Sequence, residues 1–218
     1  MERLETHPFS LHLSDMNEMP AKLRERADRK SAKRLEKKRQ IAESAIEALK
    51  ELGYANTSLR DIADKSDLSL GMLHYYFEDK TDLIIHCVAI YKEGFVENII
   101  RALDNAEGRE AVIDNFSEAL VVSIIDDEMT HRLWYDIRTQ AMFDEAFRPA
   151  VASIEGKLIN IVRQAFKKAG HPVPENVDLY YALLDGAFRY LMQGQIGADR
   201  KSREELLQTF RGLLAQFL

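Results

Sequence analysis

The 218-residue chain contains 46% hydrophobic and 30% charged residues but only ten glycines and five prolines. This balance favours long helices around a full hydrophobic core and excludes a disordered or collagen-like chain. The net charge of −6, taken alone, argues against a nucleic-acid partner.

The N-terminal residues 1–21 mix Glu, His, Ser, Asp and Pro and lack the apolar core of a signal peptide. We therefore predict a flexible extension there. Because no apolar run in the chain approaches the length of a membrane span, we expect a cytoplasmic protein with no membrane partner.

Positive charge is concentrated just after this extension. Residues 20–40 hold ten Lys or Arg and three acidic residues, whereas residues 81–218 hold 15 basic and 21 acidic residues. A basic end on an acidic body is typical of a protein whose N-terminal part meets phosphate groups. A solvated helix without a partner, or a disordered arm that contacts DNA non-specifically, would carry the same charges.

Three helices are predicted after the basic segment. The first has apolar residues at helical spacing and ends at Gly53, with Ile41, Ala45, Ala48, Leu49 and Leu52 on one face. Ser58 and Asp61 resemble a capping box that begins a short second helix. After a break at Ser66-Asp67, Ser69 can cap a third short helix, LGMLHYYF.

A much longer fourth helix follows. One apolar stripe runs along it for about six turns, through Leu83, Ile84, Cys87, Val88, Tyr91, Phe95 and Ile99. We interpret Cys87, the only cysteine, as a buried structural thiol in a reducing compartment, with a redox sensor as the alternative. Further helices are predicted at 109–126, 129–141, 145–169, 176–195 and 202–217, which gives an all-α chain of about nine helices. The boundary between a three-helix unit (22–80) and a larger bundle (81–218) is placed near residue 80.

The stretch from Thr57 to Ile84 has the pattern of a helix-turn-helix. Two short amphipathic helices joined by a tight turn can place the second one in the DNA major groove. The predicted buried residues are Ile62, Ala63, Leu68, Leu73 and Phe77, and the predicted outer residues are Ser69, Leu70, Gly71, Met72, His74, Tyr75 and Tyr76. Gly71 would permit close approach to DNA, and the Tyr hydroxyls and Lys80 could contact phosphates. Core packing remains the alternative for the two Tyr side chains.

The string LSLGMLHYYFEDKTDLI resembles the signature of the TetR family of bacterial transcriptional regulators. The resemblance implies that Arg60, Leu70, Gly71, Met72 and His74 lie near bases, and that Thr57, Ser58, Tyr75, Tyr76 and Lys80 contact mainly phosphates. It also implies that 22–80 binds DNA and that 81–218 binds a ligand and dimerises. The chain departs from the family at Asp67, where Gly is usual, and at Leu70 and Met72, which favour thymine methyl contacts over polar readout.

The predicted function follows from that resemblance: a ligand-responsive regulator, expected to be a repressor, that binds a near-palindromic double-stranded DNA operator as a homodimer. A small-molecule effector of unknown identity would release it. The segment THRLWYDIRTQAMFDEAFRP broadly resembles the choline-responsive branch of the family. Its candidate ligand-binding residues are Trp134, Tyr135, Arg138, Met142 and Phe143, with plain core packing as the alternative.

The last two predicted helices carry the candidate dimer interface. Their apolar and small residues include Leu179, Leu183, Gly186, Ala187, Tyr190, Leu206, Phe210, Leu213, Leu214 and Phe217, and they would form a four-helix interface between two subunits. Asp185 and Arg189, four residues apart, are predicted to form an internal ion pair.

An enzyme is the rival class. Glu128-Met-Thr-His131 has the Glu-x-x-His spacing of di-iron bundles, but the sequence holds no second copy of that motif in register. Phosphate loops, nucleophile elbows and paired zinc ligands do not occur either. We therefore expect no catalysis, no metal and no cofactor. A pure protein-interaction module would leave the Thr57–Ile84 motif unexplained.

Overall fold

The computed structural model describes residues 21–196 and 200–218, with side chains from residue 24 onward. The predicted extension 1–21 therefore lies almost wholly outside the described residues. Those residues form nine α-helices and one short 3-10 helix and contain no strand, which confirms the all-α prediction. The α-helices are α1 Ala21–Asn56, α2 Leu59–Lys65, α3 Leu70–Tyr76, α4 Lys80–Asp104, α5 Arg109–Asp126, α6 Glu128–Gln140, α7 Arg148–Lys168, α8 Val177–Gly194 and α9 Arg203–Leu214.

Helix α1 begins at Ala21, twenty residues before the first apolar position of the predicted helix. The basic segment is therefore helical, as its many Lys, Arg and Glu residues favour. Gly53 interrupts α1 with φ 75° and ψ 165°, a conformation that suits a residue without a Cβ. The chain divides into two compact units, 1–41 and 42–218. In the first unit, the side chains of residues 25–36 are exposed.

The second unit begins with the predicted helix-turn-helix. Ser58 and Asp61 form the predicted capping box, with the Ser58 backbone N–H donating to Asp61 Oδ2 at 2.7 Å. The Ser69 hydroxyl accepts from the Met72 N–H at 3.2 Å and caps α3. Asp67 has φ 52°, the left-handed conformation predicted for the turn. The turn closes where the Leu68 N–H donates to the Ala63 carbonyl at 2.9 Å.

The apolar side of α2 and α3 is buried as predicted at four of five positions: Ile62, Ala63, Leu73 and Phe77. Leu68, the fifth, is half-buried in the turn. Helix α4 packs on this side through Cys87, whose buried thiol donates to the Ala42 carbonyl of α1 at 3.5 Å. Burial raises the pKa of that thiol, which favours a structural role over a redox sensor.

Helices α4 to α9 form the larger bundle. Helix α4 packs against α5 and α7, α8 lies on α7, and α9 lies along α5. Ion pairs fix α9 to α5, between Arg211 and Asp114 at 2.9 Å and between Arg203 and Glu118. None of the helices in the described ranges combines the length and apolarity required to cross a membrane.

The helix predicted at 145–169 is divided into the 3-10 helix Glu145–Phe147 and α7. Pro149 explains the division. Proline has no N–H to donate to a preceding turn, so it fits in the first turn of a helix and not in its interior.

Substitutions at two neighbouring residues of α3 test which face of this helix is buried and which is exposed. Leu73→Ala should lower the free energy of unfolding by about 2 to 5 kcal/mol, because it leaves a cavity in a closed core. Met72→Ala, on the exposed face, should change it by less than about 0.5 kcal/mol. Urea unfolding followed by circular dichroism measures both. Equal losses in the two variants would contradict the assignment of faces.

Candidate nucleic-acid interface and bundle core

The outer face of α3 presents side chains to solvent. Leu70, Met72, His74 and Tyr75 are exposed, with 60% of Tyr75 accessible. Gly71 lies among them, and no atom is found within 4 Å of the point that a Cβ would occupy there. The backbone of α3 is therefore open to a ligand at Gly71. On α2, Ser58 and Arg60 are also exposed.

The two tyrosines at the end of α3 have different surroundings. Their rings meet edge to face with centroids 5.0 Å apart. Tyr75 is exposed, whereas Tyr76 is half-buried, so part of the Tyr76 ring belongs to the packing of the unit.

Two residues that the resemblance assigned to phosphates are engaged inside the protein. Thr57 is buried, and its hydroxyl donates to the Gly53 carbonyl at 2.7 Å. The ammonium of Lys80 donates to the Tyr54 carbonyl at 2.6 Å and lies 4.4 Å above the Tyr54 ring. The break at Gly53 leaves carbonyls of α1 without partners inside the helix, and these two side chains satisfy them. Thr57 does not reach the outer face in this structure.

Tyr54 connects three elements. Besides its contacts with Lys80 at the start of α4, its ring meets that of Phe147 in the 3-10 helix edge to face at 6.1 Å. The end of α1 is thereby attached both to the first residue of α4 and to the bundle. Burial lowers the pKa of Lys80, with Asp61 acting in the opposite direction.

His131 of the Glu128–His131 pair lies in the bundle core. Its Nδ1 is 2.8 Å from the Tyr91 hydroxyl and its Nε2 is 2.6 Å from the Ser123 hydroxyl. Burial, and to a smaller extent the charge of Lys92, hold its pKa well below the usual range, so the imidazole is neutral at pH 7. Glu128 instead faces Arg132 at 3.8 Å. Among the described residues, no group of three or more His, Cys, Asp or Glu is placed to hold a metal ion.

Lys92 of α4 is the buried charge of the bundle. Only 3% of the residue is accessible. Its ammonium lies over three aromatic rings, 4.5 Å from the centroid of Phe95, 5.0 Å from Trp134 and 5.4 Å from Tyr91. Burial lowers its pKa to about 7, and the opposing attraction of Asp185 is weaker.

A cavity of about 50 Å³ lies beside this lysine and is lined by residues of α4, α5, α6, α7 and α8. Its walls are mainly apolar, with four polar residues among them; the lining residues are Lys92, Phe95, Ile99, Phe116, Leu120, Tyr135, Leu158, Ile161, Val162, Tyr181, Leu184, Asp185 and Phe188. The Tyr181 hydroxyl is buried and has no hydrogen-bond partner in the described structure.

An ionic network at the edge of the cavity corrects the predicted Asp185–Arg189 pair. Asp185 is paired with Arg138 of α6, whose Nε also contacts Glu155 of α7 at 2.7 Å. The Tyr135 hydroxyl donates to the same Asp185 carboxylate at 3.0 Å. Asp185 points toward the bundle, whereas Arg189 is exposed and lies over the Tyr135 ring at 5.3 Å.

The five candidate ligand-binding residues separate into three groups. Tyr135 lines the cavity, and Arg138 reaches it through Asp185. Trp134 is buried under Lys92 and is not among the lining residues, which favours the core-packing alternative. Met142 and Phe143 are 73% and 80% exposed and lie away from the cavity.

The sequence interpretation missed Lys92 as a core residue. A usable signal was present, because Lys92 lies four residues from both Val88 and Val96 on the buried stripe of α4. A charged residue in register with an apolar stripe is either paired, aimed at solvent or functional. Tyr181 gave a comparable signal, because it is a residue with a polar group on the apolar stripe of α8, one helical turn before Asp185.

The candidate dimer residues also divide by helix. On α8, Leu179, Leu183, Gly186 and Tyr190 form one exposed stripe, with 54%, 53% and 73% of the three large side chains accessible. Ala187 beside them is half-buried. On α9, the prediction needs correction, because Leu206, Phe210 and Leu214 are fully buried against the rest of the subunit. Leu213 and Phe217 are half-buried.

Part of this structure matches a known protein family. Residues 41–87, which contain α2, α3 and the start of α4, match the family model of bacterial regulatory proteins, tetR family. This match confirms the resemblance to the TetR family that was predicted from LSLGMLHYYFEDKTDLI. Over 68 residues it is 34% identical to the "Probable HTH-type transcriptional regulator YttP" of Bacillus subtilis, an alignment that covers 31% of this chain and 33% of that protein.

A second relative is the HTH-type nicotine-responsive transcriptional repressor HdnoR of Paenarthrobacter nicotinovorans, 24% identical over 103 residues, 47% of this chain and 53% of the repressor. The chain thus matches about a third to a half of the length of these curated relatives. Among solved structures, a TetR-like transcriptional regulator from Rhodococcus sp. RHA1 superposes with a TM-score of 0.63 at 21% identity, covering 82% of this chain and 93% of that one. That likeness extends the TetR-family fold to the helical bundle.

The buried charge of Lys92 gives the stability of this chain a defined pH dependence. Because the folded-state pKa, about 7, lies below the ordinary value of 10.5, the folded chain binds fewer protons than the unfolded chain between these values. Stability contributed through Lys92 therefore rises with pH in that window and is lowest below pH 7.

Lys92→Met should remove this penalty. The variant should exceed the wild type in free energy of unfolding at pH 6, and the difference should shrink by about 1.4 kcal/mol per pH unit above pH 7. Chemical denaturation at pH 6, 7, 8 and 9 measures it, and a difference independent of pH would contradict a buried titrating amine.

Proposed function

We propose that this chain is a ligand-responsive transcriptional regulator that binds a near-palindromic DNA operator as a homodimer. The observation that carries the proposal is the outer face of α3, an exposed helix surface with an open backbone at Gly71. A B-DNA major groove admits one helix, and a glycine permits the helix backbone to approach the base edges.

The residues of this face suit two kinds of contact. Leu70 and Met72 offer apolar groups to thymine methyls, while His74 and Arg60 can donate or accept at base edges. Ser58, Tyr75 and Tyr76 can donate hydroxyl hydrogen bonds to phosphates. Lys80 supports this surface from beneath by holding the end of α1, and Ser69 supports it by capping α3.

Repression rather than activation is the mode that the relatives support. HdnoR carries the name of a nicotine-responsive transcriptional repressor, which combines small-molecule response with repression in one protein. The alignment spans about half of that protein, and the effector proposed for this chain is not taken from it.

Helix α8 is the proposed dimer interface. Leu179, Leu183 and Tyr190 expose large apolar side chains on one stripe, and Gly186 lies between them. Two such stripes can pack against each other about a two-fold axis, because each supplies both bulk and a small residue for close approach. A two-fold dimer would place two α3 helices about 34 Å apart, one turn of DNA, on a near-palindromic operator.

Helix α4 is the proposed route by which an effector acts. It begins at Lys80, which holds Tyr54 near the DNA-binding helices, and it carries Lys92 at the cavity twelve residues later. An effector that prefers one position of α4 would change the separation of the two α3 helices, and DNA affinity would fall. Half-site spacing should therefore matter for binding.

The first experiment is selection of DNA from a fragmented genomic library by the purified chain, repeated over a salt series. Recovery of one near-palindromic sequence, bound less tightly as salt rises, supports the proposal and supplies the operator. Recovery at the level of non-specific background would contradict it.

Gly71→Ala is the sharpest single test of the α3 face. The added methyl group meets no protein atom, and alanine favours the helix by up to about 1 kcal/mol, so the variant should be as stable as the wild type or more so. Its affinity for the selected operator should nevertheless fall about tenfold or more, because the methyl group keeps the backbone from the base edges.

Gly156→Ala is the matched control for this test. Gly156 is an exposed glycine inside α7, also with open space around the position of a Cβ. The control should gain similar stability and keep full DNA affinity in fluorescence anisotropy. If Gly71→Ala binds the operator as tightly as this control, α3 does not approach the DNA closely.

Leu183→Glu tests the dimer interface. A carboxylate at the centre of the α8 stripe would place two like charges across the two-fold axis, so the chain should become monomeric in analytical ultracentrifugation. Its circular dichroism should not change, since Leu183 is exposed within the subunit. Thr209→Glu, a charge at an exposed position of α9, is the control and should stay dimeric.

A further inference from the structure

The feature that the proposed function does not yet explain is the chemistry of Lys92. Only 3% of the residue is accessible, and among the described residues its ammonium contacts aromatic rings rather than a hydrogen-bond acceptor. Contacts with Phe95, Trp134 and Tyr91 supply cation–π attraction to this ammonium. Burying an unpaired ammonium costs more than several such contacts return.

The nearest carboxylate does not resolve this imbalance. Asp185 already accepts from Arg138 and, at 3.0 Å, from the Tyr135 hydroxyl. Glu155 likewise contacts Arg138 at 2.7 Å. Asp185 therefore lowers the cost of the Lys92 charge from a distance but makes no hydrogen bond with it.

Lys92 is one of the residues that line the cavity, together with Phe95, over whose ring its ammonium lies. The remaining surface is mostly apolar, with contributions from Phe95, Phe116, Leu120 and Phe188. A second unsatisfied donor lines the same cavity, because the Tyr181 hydroxyl is buried without a partner. The cavity thus presents two donors, one positively charged, and a surplus of apolar surface.

We propose that this cavity is the effector site and that its ligand is a monocarboxylate with an apolar, preferably aromatic, body. This inference rests on the proposed function for the consequence of binding, though not for binding itself. The carboxylate would accept from Lys92 and Tyr181, and the body would lie among the Phe side chains. At about 50 Å³ the cavity holds one or two water molecules, so the ligand enters as surrounding side chains shift.

The charge of the site excludes the opposite class of ligand. A quaternary or primary ammonium ligand seeks aromatic faces, but here Lys92 already occupies the faces of Phe95, Trp134 and Tyr91. A second cation would repel it in a medium of low polarity. The resemblance of this segment to the choline-responsive branch therefore does not extend to ligand charge.

Carboxylate binding should also take up protons. A ligand anion raises the pKa of Lys92, so at pH 8 a neutral fraction of the amine becomes protonated on binding. The charged and titratable groups that face Lys92 from the packed helices are Tyr91, Asp127, His131, Tyr135, Arg138, Tyr181 and Asp185. Measuring the binding enthalpy in buffers of different ionisation enthalpy gives the number of protons taken up.

The test is calorimetric titration of the full chain with benzoate, phenylacetate and hexanoate, and with the corresponding amides and amines of each. At least one carboxylate should bind the wild type at least tenfold more tightly than its amide. Lys92→Met should weaken that binding about 10-fold to 100-fold, and Tyr181→Phe about 3-fold to 10-fold. Lys157→Met removes an exposed lysine of α7 and should leave binding unchanged.

The Lys92→Met variant should fold, because it replaces a buried charge with an apolar side chain of similar length. Equal binding of carboxylates to wild type and Lys92→Met, preference for the amines, or no carboxylate binding at all would each overturn the inference. Repeating the titration with operator DNA separates the two proposals. A carboxylate that binds through Lys92 but leaves DNA affinity unchanged supports the site and contradicts effector-driven release.

Discussion

The structure depends on the contacts that attach the first two turns of α4 to α1. At its first turn, Lys80 satisfies a carbonyl that the break at Gly53 leaves free, and the ring of Tyr54 lies between Lys80 and Phe147. Seven residues after Lys80, about two turns along α4, Cys87 packs against the Ala42 carbonyl. A displacement of the start of α4 would therefore disturb the end of α1, which precedes α2 and α3 in the chain. The same helix carries Lys92 into the centre of the bundle.

The polar groups of this bundle form two clusters, one neutral and one ionic. His131 is satisfied on both ring nitrogens by hydroxyls, and it is neutral. Arg138, Asp185 and Glu155 form a paired ionic group that joins α6, α7 and α8. Lys92 lies between these clusters and shares a hydrogen bond with neither. Protein cores rarely keep an unpaired charge without use, because replacing it by an apolar residue would stabilise the fold. The proposed carboxylate ligand would complete the pairing.

Much of the fold followed from local sequence rules. The capping box at Ser58, the cap at Ser69 and the turn at Asp67 are short-range effects, and each was predicted from neighbouring residues. The apolar periodicity likewise located α2 to α9 to within one turn. The basic beginning of α1 was left open between a helix and a disordered arm, since a charged helix exposed on all sides has no apolar stripe to mark it.

The site was less predictable because it depends on contacts between distant segments. Thr57 and Lys80 are polar residues in a phosphate-binding pattern. In the structure, however, their side chains donate hydrogen bonds to the backbone carbonyls that the break at Gly53 leaves without helical partners. Arg138 was predicted to lie beside a pocket, and in the structure it pairs with Asp185 of α8. The sequence analysis paired Asp185 with Arg189 instead, because a sequence shows only which residues lie four positions apart. On α9, bulk and periodicity cannot tell a stripe facing the subunit core from one facing a second subunit. Burial in three dimensions decided against Leu206, Phe210 and Leu214.

The apolar character of the α3 face has one further consequence. Leu70 and Met72 offer methyl and methylene groups where many DNA-binding helices offer amides or guanidinium groups. A thymine is distinguished in the major groove by its C5-methyl group, and 5-methylcytosine carries the same group on the same ring position. A helix that senses this methyl group by van der Waals contact would respond to enzymatic methylation of cytosines within its operator. The epigenetic state of the DNA would then set the occupancy of the site alongside the concentration of any effector.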